Sequence, residues 1–329
     1  MGGIALARPT VTNSSQTIDR RVVHRAHVHE VLITDVTGDD GWFLAQVPSS
    51  HGYFCDGPSA TSAIVDALAL MEACRQAGTA AAHLFWGVPH GTQFVLTRWQ
   101  GNFPIASRPR FGNGPVDLCI HVSLDEPRRL RGELTGGTTR VRVYSASEEE
   151  LLVGTLDLDV RYVRNEVYLF LRTGARGGSP VPTSTTRIPD AEGALPSQVG
   201  RTREENVAIG RVSLWENRGE AALRLPYNNR SMFDHAQDHA PAMVLVEAAR
   251  QLVHASCSTA DPGRTVLVGI DGDFGTYVEL DAPTQLRVVQ RPDLEAFAQA
   301  TAEVEIHQSQ KLAAKVALAF DTLRDGYGK

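Results

Sequence analysis

The 329-residue chain carries 32 Lys and Arg against 38 Asp and Glu, a formal net charge of −6, with 42% hydrophobic and 21% charged residues. That balance excludes a disordered chain and argues against a protein whose main task is coating nucleic acid. At roughly 100–200 residues per domain, the length fits two domains or one large one. Four cysteines (Cys55, Cys74, Cys119, Cys257) lack CxxC spacing. They form neither a zinc site nor a disulfide scaffold and fit a reducing cytoplasm.

The stretch Met1 to Asn13 has a single Arg and no long apolar core, so no secretory signal is expected. His24, His27 and His29 read as a solvated approach to the first strand. Extended segments follow at Val28–Asp35 and Gly41–Val47, then a polar loop His51–Pro58. From Ser62 to His83 only Asp66, Glu72 and Arg75 are charged and apolar residues run round the whole circumference. Such a helix is buried on every side, and its mid-helix charges exclude a membrane span. Strand-like runs come next at Gln93–Trp99, Val116–Ser123, Thr138–Ser145, Leu151–Val163 and Val167–Arg172. Gly101–Pro115 reads as a long loop, Gly112-Asn113-Gly114 within it and Gly272-Asp273 as turns, and Arg128, Arg129 and Arg131 as solvated charges between two strands. Gly174–Gly200, with five Gly, four Pro and the run Ser184-Thr185-Thr186, reads as a linker. Beyond it lie extended segments Val207–Trp215 and Glu220–Leu225, a helix from about Pro241 to Ser256, and runs at Thr265–Ile270, Thr276–Leu280, Gln285–Val289, Ala300–Gln308 and Lys311–Phe320.

The chain repeats itself. Leu70-Met71-Glu72-Ala73-Cys74-Arg75-Gln76 recurs 175 residues later as Leu245-Val246-Glu247-Ala248-Ala249-Arg250-Gln251, identical at five of seven positions. Upstream, His29-Glu30-Val31-Leu32-Ile33 matches Glu205-Asn206-Val207-Ala208-Ile209, and the spacing is kept: Val31 precedes Glu72 by 41 residues and Val207 precedes Glu247 by 40. Two copies of one domain are expected, at 20–173 and 201–325 with 174–200 between them. One long helix among many β-branched strands implies, in each copy, an antiparallel sheet curled around a central helix, an α+β fold.

Glu72 with Arg75, and Glu247 with Arg250, lie three apart and share a helix face. Burying either ion unpaired costs several kcal/mol. Each pair is therefore either a structural bridge repeated by duplication or a site where a carboxylate does acid–base work and a guanidinium clamps an anion. Copy two adds Asp234-His235 and Asp238-His239 just before its helix. An Asp beside a His fixes its tautomer or raises its basicity. Pro241 suits the first turn, with Asp238 or His239 as the cap. Helix N–H groups there can polarise a carbonyl. His235 and His239 are a weak metal pair, since no acidic third ligand is placed beside them, and no metal is expected. Cys74 reads as packing, because copy two has Ala249 there. Cys55 reads as an inert thiol, and no glycine-rich phosphate loop is present.

A helix opening with Pro241 and carrying Glu247 six residues on, after a His-containing loop, looks like the hot-dog fold of acyl-carrier-protein dehydratases and thioesterases. More specifically, the run from Asp234-His235 through Asp238-His239, Pro241, Met243, Leu245 and Glu247 to Arg250-Gln251 resembles the A-factor (AfsA-type) γ-butyrolactone biosynthesis family. Val23-His24-Arg25, Gly87-Val88-Pro89-His90-Gly91 and Val199-Gly200-Arg201 with Glu205-Asn206-Val207 match it too, over about residues 20–320. Copy one's loop and Ala242, where a Gly is common, depart from the pattern.

The resemblance implies two tandem hot-dog domains forming a pseudo-dimer. It also implies a cytoplasmic enzyme that joins a β-ketoacyl chain, carried on acyl carrier protein, to dihydroxyacetone phosphate, with aldol-type closure toward butenolide or furan signals. Carried over, Glu72, Glu247 and Arg250 match positions implicated in activity. Glu247 or Glu72 would take a proton, His239 or His235 would relay it, and Arg250 or Arg75 would hold the phosphate, with Asp238, Pro241 and Gln251 contacting substrate. No cofactor is expected, since no electrons move, and neither nucleic acid nor membrane is a partner. The chain would be a monomer with an internal pseudo-dimer, or a homodimer. A dehydratase or thioesterase of the same fold, and a non-catalytic acyl-binding regulator, are the alternatives.

Overall fold

The computed structural model of the chain describes residues 15–38, 40–57, 65–104, 114–147, 151–186, 192–215, 218–257, 265–290 and 300–322. Copy one runs β1 (Ile33–Thr37), β2 (Trp42–Val47), α1 (Ala67–Leu84), β3 (Thr92–Asn102), β4 (Val116–Leu130), β5 (Glu133–Ser145), β6 (Leu152–Arg164) and α2 (Asn165–Ala175). Copy two runs β7 (Ser213–Trp215), β8 (Arg218–Ala222), α3 (Ala242–Ser256), β9 (Thr265–Phe274), β10 (Thr284–Gln290), β11 (Ala300–Gln308) and β12 (Lys311–Thr322).

The described strands form one antiparallel sheet in the order β1-β2-β4-β5-β6-β3-β9-β12-β11-β10-β8-β7. The order is a palindrome of the two copies, joined at a β3–β9 seam where Trp99 faces Gly272 and Arg98 faces Asp273. Each half curls around its own helix, the tandem hot-dog arrangement.

In α1, 15 of 18 residues are buried. Its alanine-rich sequence favours the helix, while burial of Leu68, Leu70 and Met71 holds it, each side chain contributing about 1.5–3 kcal/mol. Asp66 is its N-cap, accepting a hydrogen bond from Leu68 N at 2.9 Å. The expected start at Ser62 lies outside the described residues, as do the Met1–Asn13 segment and the middle of the Gly101–Pro115 loop.

Each helix is tied to its sheet by the repeated glutamine. Gln76 accepts from Leu32 N at 2.8 Å and donates to Glu30 O at 2.7 Å. Gln251 does the same with Ala208 N at 2.8 Å and Asn206 O at 2.7 Å. The shared Gln is thus a backbone staple in both copies.

Three elements differ from expectation. Val167–Arg172 is part of helix α2, not a strand. An unbroken apolar run carries no period of its own. Here Tyr168 and Arg172, one turn apart, are the buried positions, while Phe170 and Leu171 face outward. Thr276–Leu280 is not a strand: Val278 and Leu280 are buried, but the segment pairs only through a bridge between His239 and Glu279. Gly272-Asp273 lies inside β9 rather than in a turn, because Asp273 and Gly272 pair with Arg98 and Trp99 across the seam. The 174–200 stretch is anchored as well: Arg176 pairs with Glu279 and Asp281, and Ser184 N bonds Gln237 O at 2.8 Å. Among the described residues, no helix is long and apolar enough to cross a membrane.

Candidate active site

The two glutamates sit in frames with the same skeleton. Glu72 is bonded by Arg25 Nε at 3.0 Å, by Arg75 Nε and Nη2 at 2.8 Å each, and by Gln76 Nε2 at 2.7 Å. Glu247 is bonded by Arg201 Nε at 2.8 Å, Arg250 Nε at 3.0 Å and Gln251 Nε2 at 2.6 Å. The additional arginines, Arg25 and Arg201, come from the matching Val23-His24-Arg25 and Val199-Gly200-Arg201 segments. Each is braced by the other copy's loop: Arg25 Nη1 donates to Ser231 O at 3.3 Å, and Arg201 Nη1 to Tyr53 O at 3.2 Å. Asp234 accepts the backbone N–H groups of Ala26 and His27 just as Asp56 accepts those of Thr202 and Arg203. The loop before each helix therefore serves the opposite copy's glutamate. The Asp-His run, close to Glu247 in sequence, belongs in space to Glu72.

Two substitutions then separate the frames. Over Glu247 stands Tyr53, whose hydroxyl donates to Oε2 at 3.1 Å and whose ring lies 4.9 Å from the Arg201 guanidinium. The α1 cap Asp66 accepts two bonds from Arg250 Nη1, at 2.8 and 3.0 Å. At the positions of Tyr53 and Asp66, the Glu72 frame has Ser231 and Pro241. There a cavity of about 980 Å³ opens between the copies. Its polar lining includes His24, Glu72, Arg75, Ser231, His235, Asp238 and His239, and its apolar wall includes Leu96, Trp99, Leu158, Leu245 and Phe274. Pro241, Ala242 and Met243 line it too. Glu247, Arg250 and Gln251 do not line this cavity, and Glu247 and Gln251 are 0% exposed.

Burial pushes the Glu72 carboxyl upward. The Arg25 and Arg75 charges, with bonds from Arg75 and Gln76, outweigh it and hold the carboxyl at about 2. Glu72 is thus a fixed anion that aims two guanidiniums, not a proton acceptor near neutral pH.

His239 Nδ1 lies 2.5 Å from Asp238 Oδ1. With Nδ1 committed to the carboxylate, Nε2 is the ring atom left to exchange a proton with a bound substrate. Burial raises Asp238, but its bond to His239 and the Tyr168 and Arg172 contacts hold it well below the usual carboxylate range. His235 is tied at both nitrogens, Nδ1 at 3.3 Å from Asp234 and Nε2 at 2.9 Å from the Gln237 amide. Neither Asp238 nor His239 caps α3. Its N-cap is Pro241, without a side-chain bond, so the first N–H groups of α3 lack a partner within the helix. The thiols stand apart: Cys74 is fully buried, and Cys55 Sγ lies 3.6 Å from Pro48 O. Among the described residues, no three His, Cys, Asp or Glu side chains are grouped to hold a metal ion.

The model of the A-factor biosynthesis hotdog domain family (AfsA) matches residues 6–163 and 183–323. The chain belongs to the AfsA family. It is 31% identical over 288 residues to the 2-oxo-3-(phosphooxy)propyl 3-oxoalkanoate synthase of Streptomyces virginiae, covering 84% of this chain and 89% of that protein. It is 25% identical over 307 residues to the synthase of the same name from Streptomyces coelicolor, covering 92% and 91%. Among solved structures it resembles an oleoyl thioesterase of Lactobacillus plantarum, with a TM-score of 0.51 and 13% identity over 86% of this chain and 97% of that one. That likeness speaks for the hot-dog fold alone.

Three parts of this AfsA-family site escaped sequence reasoning. Arg25 was legible only as a piece of a matching segment, yet it shares Glu72 with Arg75. His24, expected in solvent, lines the cavity, and His27 Nδ1 bonds Asp234 at 2.7 Å. Helix α2 supplies Tyr168, whose hydroxyl donates to Asp238 at 2.7 Å, and Arg172, whose Nε does so at 3.2 Å. The spacing of Tyr168 and Arg172, four residues apart, was the available signal.

Proposed function

We propose that this AfsA-family protein transfers a 3-oxoacyl group from a thioester, delivered on acyl carrier protein, to the free hydroxyl of dihydroxyacetone phosphate. The product is a 2-oxo-3-(phosphooxy)propyl 3-oxoalkanoate, which proceeds by aldol-type closure toward a butenolide. The observation that carries this reading is the self-occupied twin. In the Glu247 frame, the Asp66 carboxylate bridges Leu68 N and the Arg250 guanidinium. At the Glu72 frame the matching groups are Met243 N and Arg75, and Pro241 supplies no carboxylate. A substrate's negative charge fits where the twin holds its own.

In the proposed reaction Arg75 and Arg25, oriented by Glu72, hold the phosphate. The α3 N-terminus stabilises charge developing on the thioester oxygen. The apolar wall takes the acyl chain. A C–O ester bond forms, the C–S bond breaks, and the departing sulfur takes the Nε2 proton of the His239 imidazolium, which keeps its Nδ1–H on Asp238 and is left neutral. Tyr168 and Arg172 hold that pair in register. Glu247, Arg250 and Asp66 brace the pseudo-dimer.

Mass spectrometry of a reaction containing a 3-oxoacyl carrier protein and dihydroxyacetone phosphate tests this. A phosphate-containing ester is the expected product. Free acid or an enoyl product without the triose phosphate would favour a thioesterase or dehydratase instead.

A further inference from the structure

The transferred hydroxyl must lose a proton, and the cavity holds a second histidine arranged to take it. His24 Nε2 lies 2.8 Å from His83 Nε2, and His83 Nδ1 lies 2.7 Å from Val88 O. A carbonyl only accepts, so His83 Nδ1 carries a proton. Its Nε2 then accepts from His24 Nε2–H, which leaves His24 Nδ1 as a lone pair. That atom has no hydrogen-bond partner among the described residues, and the ring lines the cavity. Phe94 packs against it, with ring centroids 4.8 Å apart.

The backbone marks His24 as well. It adopts φ 54°, and the matching position in copy two is Gly200 at φ 68°, each directly before the arginine of its glutamate frame. A β-carbon in this region is disfavoured, and glycine is the usual occupant. Copy one keeps a histidine where its twin has relieved the strain. Arg75, whose Nη2 bonds Val23 O at 3.2 Å, adjoins the ring, so a phosphate held on Arg75 would leave a three-carbon alcohol within reach of it.

Resting on the acyl-transfer reading above, we propose that His24 is a catalytic residue that accepts, at Nδ1, the proton of the attacking hydroxyl. The O–H bond breaks as the ester C–O bond forms; the C–S bond breaks, and the sulfur takes its proton from His239. Exchange with solvent then resets both rings. Burial and then the Arg75 charge hold His24 down at about 3. A phosphate dianion on Arg75 opposes the second of these and so shifts His24 back toward the basic side.

His24→Gly, the twin's own residue, is expected to melt no lower than the wild type while its kcat falls by roughly 10²–10⁴-fold. Free imidazole should restore part of that turnover. His24→Asn, which tolerates this φ and accepts a hydrogen bond but no proton, should stay slow. Retention of kcat within about threefold in His24→Gly, or full turnover in His24→Asn, overturns the proposal. Calorimetry separates its failure from that of the acyl-transfer reading. Wild type should bind dihydroxyacetone phosphate about tenfold more tightly than acetonyl phosphate, which lacks only the hydroxyl, and His24→Gly should lose the difference. Equal binding of both by the wild type removes the His24 contact even if the ester is formed. A wild type that binds neither and forms no ester fails at the earlier reading.

Discussion

At Glu247 and at Glu72 the same carboxylate, arginine and glutamine recur on the matching helices α3 and α1, yet one cluster is filled by the protein and the other faces a cavity. Tyr53 and Asp66 complete the Glu247 frame with a hydroxyl and a carboxylate. At the Glu72 frame the Ser231 hydroxyl bonds Glu30 at 3.1 Å instead and Pro241 offers no carboxylate, and His24, His239 and the start of α3 line the space. Duplication supplied two equivalent frames. Two side-chain differences in the loops leave one frame closed by the protein's own groups and the other open to a cavity. A repeated motif is therefore poor evidence of a repeated function; what faces it from the other copy decides.

That comparison can be broken most sharply at His239. His239→Ala is expected to lower turnover by roughly 10²–10⁴-fold with little change in the melting curve, because Asp238 keeps Tyr168 and Arg172. Steady-state kinetics beside thermal unfolding checks it, and unchanged turnover would move the chemistry elsewhere.

Glu247→Ala should act on the fold instead. It strips Arg201 and Arg250 of their shared buried carboxylate and should destabilise the protein by about 3–5 kcal/mol, read from urea unfolding. A stable Glu247→Ala protein that has lost turnover would reverse the assignment of the two frames.

Acid should weaken the Glu72 frame. Its carboxyl ordinarily titrates at 4.5 and is held at about 2 in the folded protein. A depressed acid contributes stability that is present above its unfolded value and lost as pH falls through the folded one. Unfolding midpoints measured from pH 6 downward should thus decline below about 4.5 and keep declining toward 2. Glu72→Gln should flatten that limb, and an unchanged acid slope in the variant would assign the loss to other carboxylates.

The smallest effect belongs to Tyr53→Phe. It removes one hydroxyl bond to Glu247 and should cost about 1 kcal/mol by the same urea titration, leaving turnover as it was. A fall in turnover would make the Glu247 frame part of the chemistry.

Much of the fold was legible. The all-round apolar helix, the seven-residue repeat and the β-branched runs are local patterns, and local periodicity is what a sequence records most plainly. Of the site, Glu72, Arg75 and the Asp238-His239 pair could be read, because charge inside an apolar helix and paired Asp-His stand out against their surroundings. Arg25, His24 and Arg172 could not. Each lies far along the chain from what it touches, and beyond the matched segment that holds His24 and Arg25 and the four-residue spacing of Tyr168 and Arg172, nothing local marks it. Helix α2 was misread for a related reason: Val167 to Leu171 is apolar throughout, and only the reach of Tyr168 and Arg172 to Asp238 selects helix over strand.

By itself, the sequence determined two copies of one helix-in-sheet unit and a buried acid–base pair in each, since hydrophobic period and the cost of unpaired charge are written residue by residue. Only the tertiary structure decided that each loop crosses to the other copy's glutamate, that Tyr53 and Asp66 fill one frame, and that His24 and His239 line the other. Which groups meet across a pseudo-dimer depends on chain crossing and volume, and neither has a signature in neighbouring residues.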